Sequence, residues 1–535
     1  MPSNHVPVLI VGGGTVGLAA AAFLGHHGVS ATVVERQPGP LDHPRALGIN
    51  ERTLELLREI GLEEAVDDVC GRLPTGAWRA SVSTLAAASF PPVEGPLDFR
   101  TPAIAEVSPA EVAGTCPQDR LDSVLRPAAL RSGATIRYGV SVTSVTSHPG
   151  GAVATLSDGE VLHAGHLIAA DGASSTVRGA LGIGTSGPGV LGIPKMNIVF
   201  RADLYERFGG IPFMTDITSP GSWAVLIAVD GANRWMLHVD YDPADGADPA
   251  DFTPERCAAL VRGALGTDDV PVEILSAAPW RLTARVADRF RHDSTFLVGD
   301  AAHTIPPLGG FGMNTGIADA HNLAWKLAAV IRGDAEDQLL DTYHAERHPV
   351  AEFTLRQAMA RLKNPALHWN PFAAAERRQA GVVATPIVHL GYRYDSSAVV
   401  GADLTLPSTE DVRQDLDGSP GSRLPHLWVE RDGERLSTLD LPGSRFTVLV
   451  GPSADGWYEA GRALADSSGT GLRVYRMGRD GVQVPEGRWL ALAGTGPDGA
   501  LLVRPDGFVA WRATGPATDP KHVLGQVLDG VLGRL

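Results

Sequence analysis

The sequence is short of cysteine, of positive charge and of long apolar runs, and each shortage removes a class of protein. Its three cysteines, Cys70, Cys116 and Cys257, are odd in number and widely spaced, with no CxxC or metal-ligand pattern. A disulfide scaffold and a metal site are therefore not expected, and three reduced structural thiols are. Lysine and arginine number 45 against 61 aspartates and glutamates, a formal net charge of −16 with no basic cluster to offset it. Nucleic acid and anionic membranes are not expected as partners. No stretch approaches the roughly 18 apolar residues of a membrane helix, and no basic region precedes the first apolar segment, so a cytoplasmic protein is expected. Nothing in the pattern specifies an oligomeric state.

What the chain does have is length and glycine. Its 535 residues, 62 of them glycine, exceed what one hydrophobic core serves, so two or three domains are expected. Val6 to Glu35 reads as strand, turn, helix and strand. The apolar run Val8-Leu9-Ile10-Val11 suits a strand buried on both faces. Gly12-Gly13-Gly14-Thr15-Val16-Gly17 follows at once as G-x-G-x-x-G. Gly12 permits the tight reversal, Gly14 admits a pyrophosphate to backbone N–H groups, and Gly17 lets the helix sit close to the strand. The helix start then faces the anion. Glu35 closes the second strand where a ribose hydroxyl would lie, which favours FAD or NAD over NADP at this site. The sequence carries its own control in Gly182-Ile183-Gly184-Thr185-Ser186-Gly187, a copy expected to be a surface loop.

Two further stretches repeat the theme. His166 to Ala170 is a buried strand that ends in Asp171-Gly172 and runs into a helix capped by Ser175. Thr295 to Asn314 is a strand ending at Gly299-Asp300, then a Pro/Gly loop, then a helix opened by Met313-Asn314. Asp300 is placed as a second ribose or ribityl acceptor. Gly309, Gly310 and Gly312 leave N–H groups bare at a positive helix end, which suits the N1–C2 carbonyl edge of a reduced flavin. Two acid-terminated strands and two glycine-rich turns fit one long cofactor, FAD.

Between these stretches the pattern changes. Asn50 caps a helix over NERTLELLREIGL, and Gln118 starts an amphipathic helix. Trp78 to Phe90 and Arg100 to Val107 suggest short antiparallel strands. Ile193 to Tyr241 suggests an antiparallel meander whose faces Trp78, Phe213, Met214, Trp223 and Trp235 would line. Past Gly401 come a strand at Arg445 to Val450, a helix around Tyr458 to Ala465, a strand at Leu472 to Arg476, and a hairpin over Ala500 to Trp511.

The three stretches in this order resemble the class A FAD-dependent aromatic hydroxylases, the para-hydroxybenzoate and phenol hydroxylase group. Leu390-Gly391-Tyr392-Arg393-Tyr394 and the segment from Gly421 to Val429 are most similar to its actinobacterial polyketide hydroxylases. The resemblance implies an α/β fold: a Rossmann-like FAD-binding domain (1–75, 108–190 and 284–400), an inserted antiparallel β-sheet substrate domain (76–107 and 191–283), and a thioredoxin-like domain (401–535) without the CxxC. It implies FAD contacts at Gly12, Gly14, Thr15, Val16, Gly17, Glu35, Arg36 and Arg45. It extends them to Gln118, Val142, Asp171, Asp300, Pro307, Gly310, Gly312, Met313 and Asn314. Trp78, Phe213, Met214, Trp223 and Arg377 are candidate substrate contacts. The implied activity uses NADPH and O2 to hydroxylate a phenolic ring of a polycyclic aromatic polyketide, such as an anthracycline aglycone, through a flavin C4a-hydroperoxide. No catalytic base is identified; His303, Tyr241 and Arg377 are candidates by region. Baeyer–Villiger oxygen insertion and a non-catalytic nucleotide-binding scaffold are the alternatives. A flavin halogenase is disfavoured, because no W-x-W-x-I-P follows the first glycine turn.

Overall fold

The computed structural model describes residues 4–74, 78–90, 102–112, 114–218, 223–370, 372–467, 469, 471–479, 481–485 and 487–535. Its first layer is an open sheet with five parallel strands in the order Thr295–Leu297, Val161–Ala169, His5–Val11, Ala31–Glu35, Thr135–Tyr138. The hairpin of Val142–His148 and Gly151–Leu156 joins it through Val161–Ala169. Val8, Leu9 and Ile10 are fully buried because helices cover both faces of the central strand. The helix Thr15–His26 is apolar all round, as it packs against the sheet and also against the helices Gln118–Arg131 and Phe311–Ile331.

The second layer is a seven-stranded sheet in the order His303–Thr304, Glu273–Ala287, Thr185–Arg201, Arg234–Asp240, Ala224–Ala228, Met214–Ile217, Arg79–Val82. All its pairings are antiparallel except the last. One face buries Met196, Ile198, Phe200, Trp235 and Leu237 against the helix Pro254–Leu265. The two longest strands, Thr185–Arg201 and Glu273–Ala287, run between the layers, so the expected changeovers at 190 and 283 fall inside strands.

Three expectations need correction. Of the stretch Trp78 to Phe90, only Arg79–Val82 is strand, and it pairs in parallel with Met214–Ile217. Pro102–Val107 is a helix, not a strand, because Ile104 and Val107, three apart, both dock into the cluster of Phe311, Ile387 and Val388; residues 100 and 101 lie outside the described residues. The second G-x-G-x-x-G is not a loop throughout. It follows the helix Thr176–Ala180, and Thr185-Ser186-Gly187 open the long strand. That half of the strand is exposed and contacts a single neighbour across register shifts, which is where glycine and proline are tolerated.

The last part of the chain holds a four-stranded sheet in the order Arg473–Arg476, Thr447–Val450, Ala500–Val503, Val509–Ala513. The first pair is parallel and the other two antiparallel, with the helix Asp455–Ser467 crossing between the parallel strands. This strand order and direction are consistent with the expected thioredoxin-like arrangement. No cysteine follows Cys257, so thiol exchange is not its task. Its turn at Arg504 to Gly507 enters between the helices Phe311–Ile331 and Asp341–Lys363. There Arg504 pairs with Glu346 at 2.5 Å and Asp506 at 2.5 Å, Lys326 pairs with Glu346 at 2.7 Å, and Asn322 donates to both carboxylates.

Candidate FAD and substrate site

The three sequence stretches converge through close backbone approaches. A Cβ on Gly12 would stand 2.3 Å from the Ala170 carbonyl oxygen, and one on Gly17 would stand 2.0 Å from the Gly12 oxygen. The first turn is thereby pressed on the strand end that carries Asp171. Val16 meets Gly299, and Gly316 of the long helix packs on both. Arg178 donates to the carbonyls of Ala173 and Ala301 at 2.9 and 2.8 Å, tying the Asp171 loop to the Asp300 loop.

Within this convergence several groups are left without protein partners. No protein atom lies within 4 Å of where a Cβ on Gly14 would stand, and the N–H groups of the first helical turn there have no intrahelical acceptor. Asp171 accepts from the Val177 N–H through one oxygen, and its other carboxylate oxygen is buried without a partner. Asp300 is accessible yet crowded by protein: desolvation pushes its carboxyl up, against the pull of His303 and Arg45. Arg36 and Arg45 are exposed. These are the features a long anionic cofactor with two hydroxyl-bearing segments would fill, so the residues present fit FAD.

Other predicted residues have parts in shaping the cleft. Glu35 accepts from the N–H groups of Gly13 at 2.7 Å and Gln37 at 2.8 Å, keeping a lone pair on each oxygen for a ribose. The Asn314 side chain is fully engaged. It accepts from the Asn50 N–H and the Thr53 hydroxyl, and donates to the carbonyls of Gly48 and Gly310. Its part is to fix the loop bearing Arg45 against the turn at Gly310, which leaves its backbone for any cofactor contact. The helix begins at Phe311, two residues before the expected Met313, with Gly310 at positive φ as its cap and Pro307 accepting from the Gly310 N–H. Gln118 supports the Arg45 loop through its own N–H to Ala46. Val142 is buried against Leu156 in the hairpin.

Two groups escaped the sequence reading. Asp122 accepts from the Thr15 hydroxyl at 2.5 Å beneath the first turn, and burial, with Asp119 nearby, pushes its carboxyl up to about 7. A carboxylate four residues after Gln118 on an amphipathic helix was the available signal. The second is the network behind Asp300. His303 donates to Asp319 at 2.7 Å, and Asp319 also accepts from the Gly299 N–H and from Arg347. His303 is fully buried there, which makes it a support of the loop. Tyr241 is likewise buried, edge-on to Phe252.

Opposite the Arg45 loop lies the second face of the seven-stranded sheet, where Val199, Val225, Ile227 and Met236 pack with Leu47, Phe213 and Met214. Its central polar members are uncharged, while Lys195 with Asp240 and Arg79 with Asp216 pair off on the same face toward its margins. Asn197 is buried with an unpartnered side-chain oxygen, and His238 lies directly across the strand pair. Burial, with Lys195 and His43 nearby, holds the His238 imidazole down to about 4, and burial, with Arg45 nearby, holds His43 there too. Trp78 packs edge-on to Phe213, and Trp223 stacks under Lys195. Arg377 is turned away: Glu410 and the Asn370 carbonyl take up its guanidinium.

The fold and cleft define an FAD-binding oxygenase, and the comparisons with known proteins agree. The FAD binding domain family matches residues 5–358, and the aromatic-ring hydroxylase C-terminal family matches residues 417–534. The chain belongs to the FAD-dependent aromatic-ring hydroxylases, with FAD as its cofactor and NADPH the reductant typical of the class. Among its relatives, the tetracenomycin A2 monooxygenase-dioxygenase of Streptomyces glaucescens is 40% identical over 561 residues, covering 100% of this chain and 98% of that protein. Aklavinone 12-hydroxylase of Streptomyces purpurascens is 39% identical over 557 residues, with both chains covered in full. A crystal structure of aklavinone-11 hydroxylase with FAD and aklavinone superposes with a TM-score of 0.86 at 37% identity, covering 99% of each chain. Among the described residues, no helix is long and apolar enough to cross a membrane, and no group of histidine, cysteine and acidic side chains could hold a metal ion.

Proposed function

We propose that the protein hydroxylates a phenolic ring of a polycyclic aromatic polyketide, with an anthracycline-type aglycone as the substrate class, at the expense of NADPH and O2. The supporting observation is the apolar sheet face opposite the Arg45 loop, with Asn197 and His238 as its uncharged polar members. A flat neutral polyphenol matches such a face, where Lys195 and Arg79 are already paired with Asp240 and Asp216. The whole-length relatives named for aklavinone and tetracenomycin substrates support the same class.

When bound, FAD supplies the redox chemistry between NADPH and O2. The chain's own residues do the rest. The N–H groups after Gly14 would receive the pyrophosphate, Glu35 and Asp300 would accept from hydroxyls, and the first helical turn after Gly310 would offer its N–H groups to the flavin edge. Val199, Val225, Ile227 and Met236 keep water from the reacting carbon.

The test begins with the visible spectrum of the purified, FAD-loaded protein, followed by NADPH oxidation with a panel of polycyclic phenols under isotopically heavy O2. A product heavier by one labelled oxygen as a new phenol is expected. An ester product would replace this reading with Baeyer–Villiger insertion, and a loaded protein that consumes no NADPH would replace it with a scaffold. A product with more than one labelled oxygen is the second reading, favoured by the 40% identity to the monooxygenase-dioxygenase.

A further inference from the structure

The chain leaves the nucleotide layer after the helix Glu63–Asp67 and returns at the helix Gln118–Arg131. Where the two passes meet, Gly71 and Thr115 form an isolated antiparallel bridge and exchange both N–H to carbonyl bonds, at 2.7 and 2.9 Å. Cys70 and Cys116 stand one step along, at the non-hydrogen-bonded position where cross-strand side chains come nearest. The Cα–Cα separation at such a position, about 4.5 Å, falls at the short end of the range that a disulfide spans. Both thiols are free.

The surroundings hold this pair in place. A Cβ on Gly71 would stand 2.5 Å from the Asp230 oxygen, and one on Gly114 would stand 2.1 Å from the Gly71 oxygen. Thr115 donates to Val229 at 2.8 Å, so a turn of the second sheet is wedged against the crossing. Cys116 is fully buried, and its N–H donates to Leu47 on the loop that carries Arg45. Cys70 is half-buried and reachable by a small oxidant.

We propose that Cys70 and Cys116 are a peroxide-oxidisable dithiol placed at the crossing between the two layers. The Cys70 thiolate attacks hydrogen peroxide: an S–O bond forms, the O–O bond breaks, and the departing hydroxide takes a proton to become water. The sulfenic acid then condenses with Cys116, forming the S–S bond and releasing a second water. Two thiols lose two electrons and two protons, one peroxide becomes two waters, and a thiol reductant reverses the change. The pairing favours this order: the neighbouring Cys116 pulls the half-buried Cys70 thiol below its ordinary range, while the proximity of Cys70 and burial push Cys116 up. The disulfide would tie the chain's exit to its return beside Leu47. Flavin turnover that fails to meet a substrate would release the peroxide locally; that source rests on the proposed function, and the dithiol does not.

The test treats the FAD-loaded enzyme with dilute hydrogen peroxide, then unfolds it and titrates thiols. The count is expected to fall from three to one, to recover with dithiothreitol, and to map to a peptide linking Cys70 with Cys116. Cys116→Ser is expected to give a dimedone adduct at Cys70 and no link, and Cys257→Ser to leave the link intact. Should Cys116→Ser fail to hold FAD, Cys116→Ala replaces it. Both cysteines still open to alkylation after peroxide, or a link involving Cys257 or a second chain, overturns the proposal. NADPH oxidation without aromatic substrate is the second arm. A link formed by added peroxide but not by turnover keeps the dithiol and removes the flavin as its source.

Discussion

The cleft and the seam that holds the C-terminal part are both rich in polar groups, and they use them in opposite ways. In the cleft one oxygen of Asp171 is buried without a partner, and the carboxylate of Asp300 makes no hydrogen bond among the described residues. In the seam Arg504, Glu346, Lys326 and Asp506 are almost wholly buried and satisfy one another. In the cleft the incomplete groups are where a ligand fits, and in the seam these four completed ones make a joint. The same contrast explains why the glycines matter in the first region and the charges in the second.

The largest test removes one member of the joint. Arg504→Met would leave Glu346 and Asp506 short of their main cation, at a cost of about 3–5 kcal/mol. Thermal unfolding of the FAD-free protein should show a fall of about three to five degrees, and a shift of under about one degree would erase the contrast. Next comes a pair of glycine substitutions. Gly17→Ala puts a Cβ against the Gly12 carbonyl and should lower both stability and FAD retention. Gly14→Ala meets no protein atom, so it should leave the apoprotein's melting temperature within a degree or two while weakening FAD by about tenfold, roughly 1.4 kcal/mol, in a fluorescence titration. Equal effects of the two on stability would mean that Gly14 serves the fold.

A smaller effect is expected at Asp300→Asn: FAD weakened by about threefold to tenfold, or roughly 0.7–1.4 kcal/mol, with unfolding of the apoprotein unchanged. The smallest concerns Asp122, whose carboxyl sits at about 7 against an ordinary 3.8. Between those values the folded chain holds a proton that the unfolded chain has released, so its contribution to stability falls as pH rises through that window and is fully lost above it. Asp122→Asn removes the titration. Its unfolding free energy should decline less than the parent's from about pH 5 to pH 8, by an amount on the order of 1 kcal/mol. Parallel profiles would mean that Asp122 titrates elsewhere.

How much the residues disclose in advance also divides along this line. Gly12 to Gly17, Asp171 and Asp300 are local motifs, since each needs only its own strand and turn to be recognised, and the structure brings them together. Pro102–Val107 was misread because its docking partners, Phe311, Ile387 and Val388, lie hundreds of residues away. Asn314 was recognised as belonging to the cleft, but its role in tying Gly48 to Gly310 depends on contacts over long separations. Arg504 and Glu346 gave no signal at all: charged residues 158 positions apart look like solvated surface until the fold buries them. Arg377 illustrates the reverse, a cation expected at the cleft whose guanidinium Glu410 takes up.

The tip running from Arg504 to Gly507 carries a consequence for anyone building chimeras. It is a plug whose socket, Lys326, Asn322 and Glu346, was laid down on two helices of the other part of the chain. Transplanting the terminal portion from a relative as a cassette would match tip to socket only if those three positions travelled with it. Compatibility at this joint, together with the pairs Arg58–Asp440 and Glu55–Arg423, should therefore govern which hybrids fold.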